Sequence, residues 1–141
     1  MTLNMKKLTV TLPVLAALVF ASCATSTMNI PDTLSPSELI QRAQEASDKN
    51  RYNQSLQYYQ ALLERNLTNI DLVCTAEYEI AFIHYKQKKY SQSKEEFNNL
   101  LARYNADGGE HLPPQFKLLS IKLLERIEEK ERPRTFFAKK K

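Results

Sequence analysis

The residues of this chain that could carry out chemistry are few and far apart. Among its 141 residues there are two cysteines, Cys23 and Cys74, and two histidines, His84 and His111. Their spacing with carboxylates matches no metal site, and the two glycines are adjacent in one polar loop instead of forming a phosphate-binding motif. We therefore predict that the chain is not an enzyme and that it binds no cofactor and no metal.

The reactive side chains beyond residue 30 have structural interpretations. Cys74 follows apolar neighbours, which predicts a small, buried and inert thiol. His84 falls on the core-facing side of a predicted helix. We assign the carboxylates of Asp71, Glu77 and Glu79 to a solvated face of the same helix.

The first 23 residues have the layout of a secretory signal. Residues 5–7 supply positive charge, residues 8–20 form an apolar run of 13, and two small residues precede Cys23. This run is shorter than the roughly 20 residues that a membrane-spanning helix needs. The segment resembles a bacterial lipoprotein signal, although Phe20 stands where that family prefers Leu. The resemblance implies that residues 1–22 are removed and that Cys23 carries a lipid; the alternative is an uncleaved anchor or a cytoplasmic chain.

Composition divides the rest of the chain into three parts. Residues 23–35 are small and polar after the lipidated cysteine and predict a flexible tether, 36–131 form one helical domain, and 132–141 form a basic tail. The net charge of +4 for the whole chain arises mainly from the tail and the signal, and the body of the chain is mildly acidic. We therefore expect no nucleic-acid partner. The tail is interpreted either as a solvated terminus or as a weak contact with anionic lipid.

Apolar periodicity predicts five helices and no strand. Ser35, Pro36 and Glu38 form a capping box with proline at the first helical position. The predicted helices cover 36–48, 52–65, 70–87, 90–104 and 113–131, and the loops between them are short. The fold class is therefore all-α, built from antiparallel helix hairpins.

The sequence repeats itself when it is shifted by 38 residues. The shift aligns five pairs: Ala43 with Ala81, Tyr52 with Tyr90, Ser55 with Ser93, Tyr59 with Phe97, and Leu62 with Leu100. These positions resemble the tetratricopeptide (TPR) repeat, with about two repeats over 36–104 and a closing helix at 113–131; a generic antiparallel bundle is the alternative. The resemblance implies that the small residues Ala43 and Ala81 meet Ser55 and Ser93 where two helices cross. His84 and Glu77 depart from the pattern, which prefers an aromatic and a large apolar residue there.

An aromatic stripe on the third helix is the candidate binding site. Tyr78, Phe82 and Tyr85 are spaced i, i+4 and i+7 and share one face. In the TPR family this face lines a concave groove for partner proteins, so we predict that these three residues and Lys86 bind a protein partner, with Glu79 at the rim. Ile80, Ala81 and His84 are expected to face the paired helix. The alternative is that the closing helix covers the stripe.

Together these resemblances imply a function at the cell envelope. We expect a lipid-anchored TPR lipoprotein that faces the periplasm, binds the membrane through Cys23 and serves as a scaffold or adaptor for an unidentified protein. It is weakly similar to the TPR lipoproteins of outer-membrane assembly, and Ala24 after the cysteine favours the outer membrane. The alternative is an accessory lipoprotein that helps a transporter to capture a small hydrophobic ligand. A closed pocket between Tyr78, Phe82 and the fifth helix would favour that alternative.

Overall fold

The structure, a computed structural model, describes residues 27–132, and the predictions for the signal segment, Cys23 and residues 133–141 lie outside this range. The described residues form five α-helices and one short 3-10 turn. The helices are α1 (Pro36–Asp48), α2 (Tyr52–Arg65), α3 (Ile70–Lys86), α4 (Tyr90–Tyr104) and α5 (Pro114–Glu131), with the turn at Gly109–His111. Each helix packs against the next, and no strand occurs in the described range, so the predicted all-α fold of helix hairpins is confirmed. No helix in this range is long and apolar enough to cross a membrane.

Local sequence explains where the helices begin and turn. Ser35 caps α1 through its side chain, and the Glu38 carboxylate accepts the Ser35 backbone N–H at 2.8 Å, as the capping box predicts. Asn69 caps α3 through its side chain, which accepts the Leu72 backbone N–H at 3.2 Å. Asn50 and Lys88 stand at equivalent positions of the two inter-helix turns, with φ of 55° and 62°. The two hairpins therefore close with the same left-handed backbone.

The apolar side chains form two clusters that share α3. One lies between α1, α2 and α3 and includes Leu39, Ala43, Tyr59, Leu62, Ala76 and Ile83. The other lies between α3, α4 and α5 and includes Cys74, Tyr78, Phe97, Leu100, Leu123 and Ile127. The two clusters use equivalent residues on α2 and α4, and both clusters pack against α3.

Two small-residue crossings hold the hairpins together. The Ser55 hydroxyl donates to the Ala43 carbonyl at 2.7 Å, and the Ser93 hydroxyl donates to the Ala81 carbonyl at 2.9 Å. All four residues are fully buried. The expected contacts between small residues are therefore confirmed, and in each contact a side chain also satisfies a carbonyl oxygen of the facing helix.

Enlarging one crossing should destabilise the domain. Ser93→Leu places a branched side chain against the α3 backbone and removes the hydrogen bond to Ala81, so we expect a loss of about 1–3 kcal/mol in the free energy of unfolding. Denaturant unfolding measures this loss. Ser91→Leu, on the exposed side of α4, is the control and should change stability little. Equal midpoints for the two variants would contradict the close crossing.

The described part of the predicted tether is docked on the domain. The Arg65 guanidinium donates to the carbonyls of Ile30 and Pro31 at 2.9 and 3.0 Å and pairs with Asp32 at 3.0 Å. The Met28 N–H donates to the Gln57 side chain at 2.6 Å. Residues 28–32 therefore run along α2 instead of extending away from it.

Candidate functional site

The aromatic side chains of α3 form a continuous row. The Tyr78 and Phe82 rings stack with centroids 6.2 Å apart, and the Phe82 and Tyr85 rings stack at 6.1 Å. Tyr90, at the start of α4, extends the row at 5.9 Å from Tyr85. The i, i+4, i+7 spacing therefore brings the three predicted residues onto one stripe.

Tyr78, however, does not lie open at a groove. It is only 8% exposed, and its ring contacts Phe97 on α4 at 5.7 Å and Phe116 on α5 at 5.3 Å. Burial and the neighbouring Glu79 carboxylate raise the pKa of the Tyr78 hydroxyl to about 12, with Arg126 opposing. The prediction that Tyr78 binds a partner is therefore corrected: the first turn of the closing helix covers this end of the stripe, and Tyr78 belongs to the core.

The other end of the stripe stays partly open. Phe82 and Tyr85 are half-buried on the surface lined by α1, α3 and α5, which we call the odd-helix face. The Lys86 ammonium lies 5.4 Å from the Tyr52 ring centre and 5.9 Å from that of Phe82, and it donates to the Ser47 hydroxyl at 2.9 Å. Three of the four predicted partner-binding residues, Phe82, Tyr85 and Lys86, therefore lie together on this face, and Lys86 contacts the end of α1.

Two polar groups near this patch lack a partner. Glu79 is half-buried and makes no hydrogen bond or ion pair with any described residue, and burial raises the pKa of its carboxyl although Lys86 partly opposes this shift. The Tyr59 hydroxyl is buried and makes no hydrogen bond with a described residue. Burial is the main reason that its pKa is raised, and Glu79 and Asp48 add to the shift; the nearby Gln44 opposes it without forming a hydrogen bond to the hydroxyl. The odd-helix face therefore carries an unpaired carboxylate beside its aromatic rings.

On the opposite surface, the two residues that depart from the repeat pattern, His84 and Glu77, have polar partners on α4. His84 is buried, as predicted, and its Nδ1 lies 2.7 Å from a carboxylate oxygen of Glu96 on α4. Glu77 was predicted to lie on a solvated face, and this prediction is wrong because its carboxylate pairs with Arg103 on α4. At both positions the usual apolar residue is replaced by a polar one whose partner lies on the next helix. The departures from the pattern marked these two positions, but no local pattern indicates which α4 residues are their partners.

A shallow groove runs between α2 and α4 on this opposite surface, which we call the even-helix face. Its two lobes have volumes of about 320 and 470 Å³ and share Gln60, Ile80 and Glu96. Ile80, expected to face the paired helix, forms part of the floor and is half-buried. The groove is lined by amide, charged and aliphatic side chains and by no Phe, Tyr or Trp, so we consider it the weaker candidate for protein binding.

The two remaining chemical candidates are Cys74 and His111. Cys74 is fully buried, which confirms the prediction of a small packed residue, and burial raises the pKa of its thiol. His111 lies exposed beside Glu110 at 3.4 Å. Within residues 27–132 no three metal-binding side chains come together.

Comparisons with known proteins identify one relative and no family. No family model matches the chain, and no solved structure matches it. An uncharacterized protein of Treponema pallidum (strain Nichols) is 33% identical over 99 residues, which are 70% of this chain and 40% of that protein. The chain thus spans less than half of the relative's length, and the relative's name states no activity.

Proposed function

We propose that this protein is a lipid-anchored TPR-like adaptor of the bacterial envelope, and that the odd-helix face binds a segment of a partner protein in the periplasm. The observation that carries the proposal is the patch formed by Phe82, Tyr85 and Lys86. Half-buried aromatic rings beside charged groups are typical of recognition surfaces. The lipid on Cys23 would keep this surface at the membrane.

The groups around the patch define the chemistry of its partner. Two aromatic faces favour an apolar or aromatic side chain. The unpaired Glu79 carboxylate favours a nearby cation, because a basic partner group would offset the cost of its burial. We therefore expect a partner segment that places a basic residue within a few positions of an apolar one.

Truncating the two rings should remove partner binding. We expect Phe82→Ala with Tyr85→Ala to reduce capture from solubilised envelopes at least tenfold, because hot-spot aromatics carry most of the binding free energy. Mass spectrometry of the proteins that copurify with the wild-type chain and with the variant measures this loss. The control is Gln60→Ala with Asn99→Ala, two exposed residues on the rim of the even-helix groove. Capture that survives in the ring variant and disappears in the control would place the partner on the even-helix face and overturn the proposal.

The alternative function, capture of a hydrophobic solute for a transporter, depends on a closed pocket under α5. The direct contact of the Tyr78 and Phe116 rings occupies that position. We therefore favour the adaptor.

A further inference from the structure

The two ends of the helical domain differ in charge. Because consecutive helices are antiparallel, the turns after α1 and α3 and the end of α5 lie at one end of the domain. The Lys86–Ser47 hydrogen bond and the Lys94–Glu131 ion pair at 3.0 Å join these elements. We call this the basic end, after its exposed cations. They are Lys49, Arg51, Lys88, Lys89, Lys130 and Arg132.

The opposite end is acidic. It contains the starts of α1, α3 and α5, the ends of α2 and α4, and the loops that join them. Its carboxylates are Asp32, Glu38, Glu64, Asp71, Asp107 and Glu110. Its arginines, Arg65 and Arg103, are both paired with carboxylates, and its one lysine, Lys117, lies exposed over the Tyr104 ring without a carboxylate partner among the described residues. Most of the exposed cations that lack a carboxylate partner among the described residues therefore lie at the basic end.

The cations of the two turns have no partner within the domain. Residues 49–51 and 87–89 contain four basic side chains and no carboxylate, and none of the four makes an ion pair or side-chain hydrogen bond with a described residue. Asp48 lies next to them, and three glutamates lie in the last turns of α5, one of them, Glu131, paired with Lys94. The turns themselves therefore present unpaired cations to solvent.

These cations stand where helix formation favours other residues. Arg51 and Lys89 are the N-cap residues of α2 and α4, and neither helix has a side-chain cap or an acidic residue in its first turn. A positive charge at a helix N-terminus opposes the helix dipole. Lys88 has a φ of 62°, a conformation that Asn adopts more readily, and Asn50 occupies the equivalent position of the first hairpin. By contrast α1 and α3, which begin at the acidic end, have side-chain caps and first-turn carboxylates.

The N-terminal chain leads towards the same end. Pro31 is held at Arg65, the last residue of α2, whereas Met28 is held at Gln57, about 12 Å nearer to the start of α2. Cys23 precedes Met28 by five residues, which reach at most about 17 Å. This length is enough to bring Cys23 level with the basic end.

We infer that the basic end of the folded domain binds the surface of an anionic phospholipid membrane and so orients the odd-helix face relative to the bilayer. The inference rests on the proposed function, because the lipid anchor on Cys23 determines which end of the domain faces the bilayer. It concerns the folded turns, separately from any contact that the tail makes. Several basic residues on one surface bind anionic headgroups additively and release them as salt is added.

Binding to vesicles tests the inference without the lipid. The chain 23–141 with Cys23→Ser keeps every described residue and carries no acyl group. We expect it to cosediment with vesicles of phosphatidylglycerol and phosphatidylcholine, to lose this binding as NaCl is raised, and to ignore pure phosphatidylcholine. Free inorganic phosphate should displace it no more than NaCl of equal ionic strength, and specific displacement by phosphate would point instead to a single-anion site and overturn the inference.

The decisive variant is Lys88→Asn with Lys89→Ser. Asn copies the first hairpin at a left-handed position and Ser is a favoured N-cap residue, so the melting temperature should not fall. Vesicle affinity should fall about 30-fold, which is equivalent to about 2 kcal/mol for two basic residues. The matched control is Lys117→Gln with Lys122→Gln, which removes the same charge from exposed positions outside the basic end. Equal losses in the two variants would show that only net charge matters and would overturn the inference.

Two further results distinguish this inference from a membrane contact made by the tail and from the proposed function. A chain that ends at Arg132 should retain vesicle binding, and complete loss on this truncation would assign the contact to the tail and overturn the inference. The vesicle assay does not involve acylation. A wild-type chain without a lipid would therefore contradict the proposed function while the vesicle result stood on its own.

Discussion

Tyr78→Ala should lower the free energy of unfolding by about 3–5 kcal/mol, the range for removing a buried aromatic ring. The Tyr78 ring lies between Phe97 and Phe116, so its removal leaves a cavity where α3, α4 and α5 meet. Domains of this size are stable by about 5–15 kcal/mol, so the loss is a large fraction of the total. Denaturant unfolding of the chain 23–141 measures it.

Tyr85→Ala is the matched comparison for this prediction. Tyr85 is on the same stripe of the same helix but is half-buried, so its truncation should cost clearly less. If the two variants unfold at the same midpoint, α5 does not cover Tyr78 in solution. In that case Tyr78 would be accessible on the odd-helix face together with Phe82 and Tyr85, as the sequence predicted.

The stripe shows what helical periodicity can and cannot predict. The i, i+4, i+7 spacing fixes which α3 residues share a face, because it depends only on the geometry of one helix. Whether that face is open depends on where α5 lies. Phe116, in its first turn, contacts the ring of Tyr78, whereas at the other end Tyr85 remains half-buried, with the Lys130 ammonium 5.9 Å from its ring centre. No local pattern specifies that placement.

The helices and their crossings were predictable for the same physical reason. The Ser35 capping box and the turn residues act within a few positions of the chain. The burial of Ser55 and Ser93 followed from the repeat, since two similar hairpins must cross at equivalent points. The pairs of His84 with Glu96 and of Glu77 with Arg103 were not predictable, because each depends on the side chains of a second helix.

The charge difference between the two ends was also hidden in the sequence. The basic residues are clustered along the sequence only in the tail, so the net charge of the chain points to the tail. Lys49, Arg51, Lys88 and Lys89 are separated along the chain by an entire hairpin, and only the antiparallel packing brings them to one end. A surface assembled from turns is therefore visible only after the helices have been placed.

Cys23→Ser should abolish attachment of the protein to the membrane through lipid. Acyl chains contribute about 0.8 kcal/mol for each buried methylene group, and two or more chains anchor a protein stably. Losing them should shift the chain from the detergent-rich phase almost completely to the aqueous phase. Cys74→Ser is the control for cysteine chemistry, since Cys74 is buried and should leave the partition unchanged.

The intact mass of the wild-type chain purified from bacterial membranes tests the central claim most directly. We predict a chain that begins at Cys23 and carries the added mass of a diacylglycerol group, with or without an amide-linked acyl chain, and Cys23→Ser should lack this mass. A wild-type chain that retains residues 1–22, carries no acyl mass and partitions like Cys23→Ser would contradict the lipid-anchored adaptor.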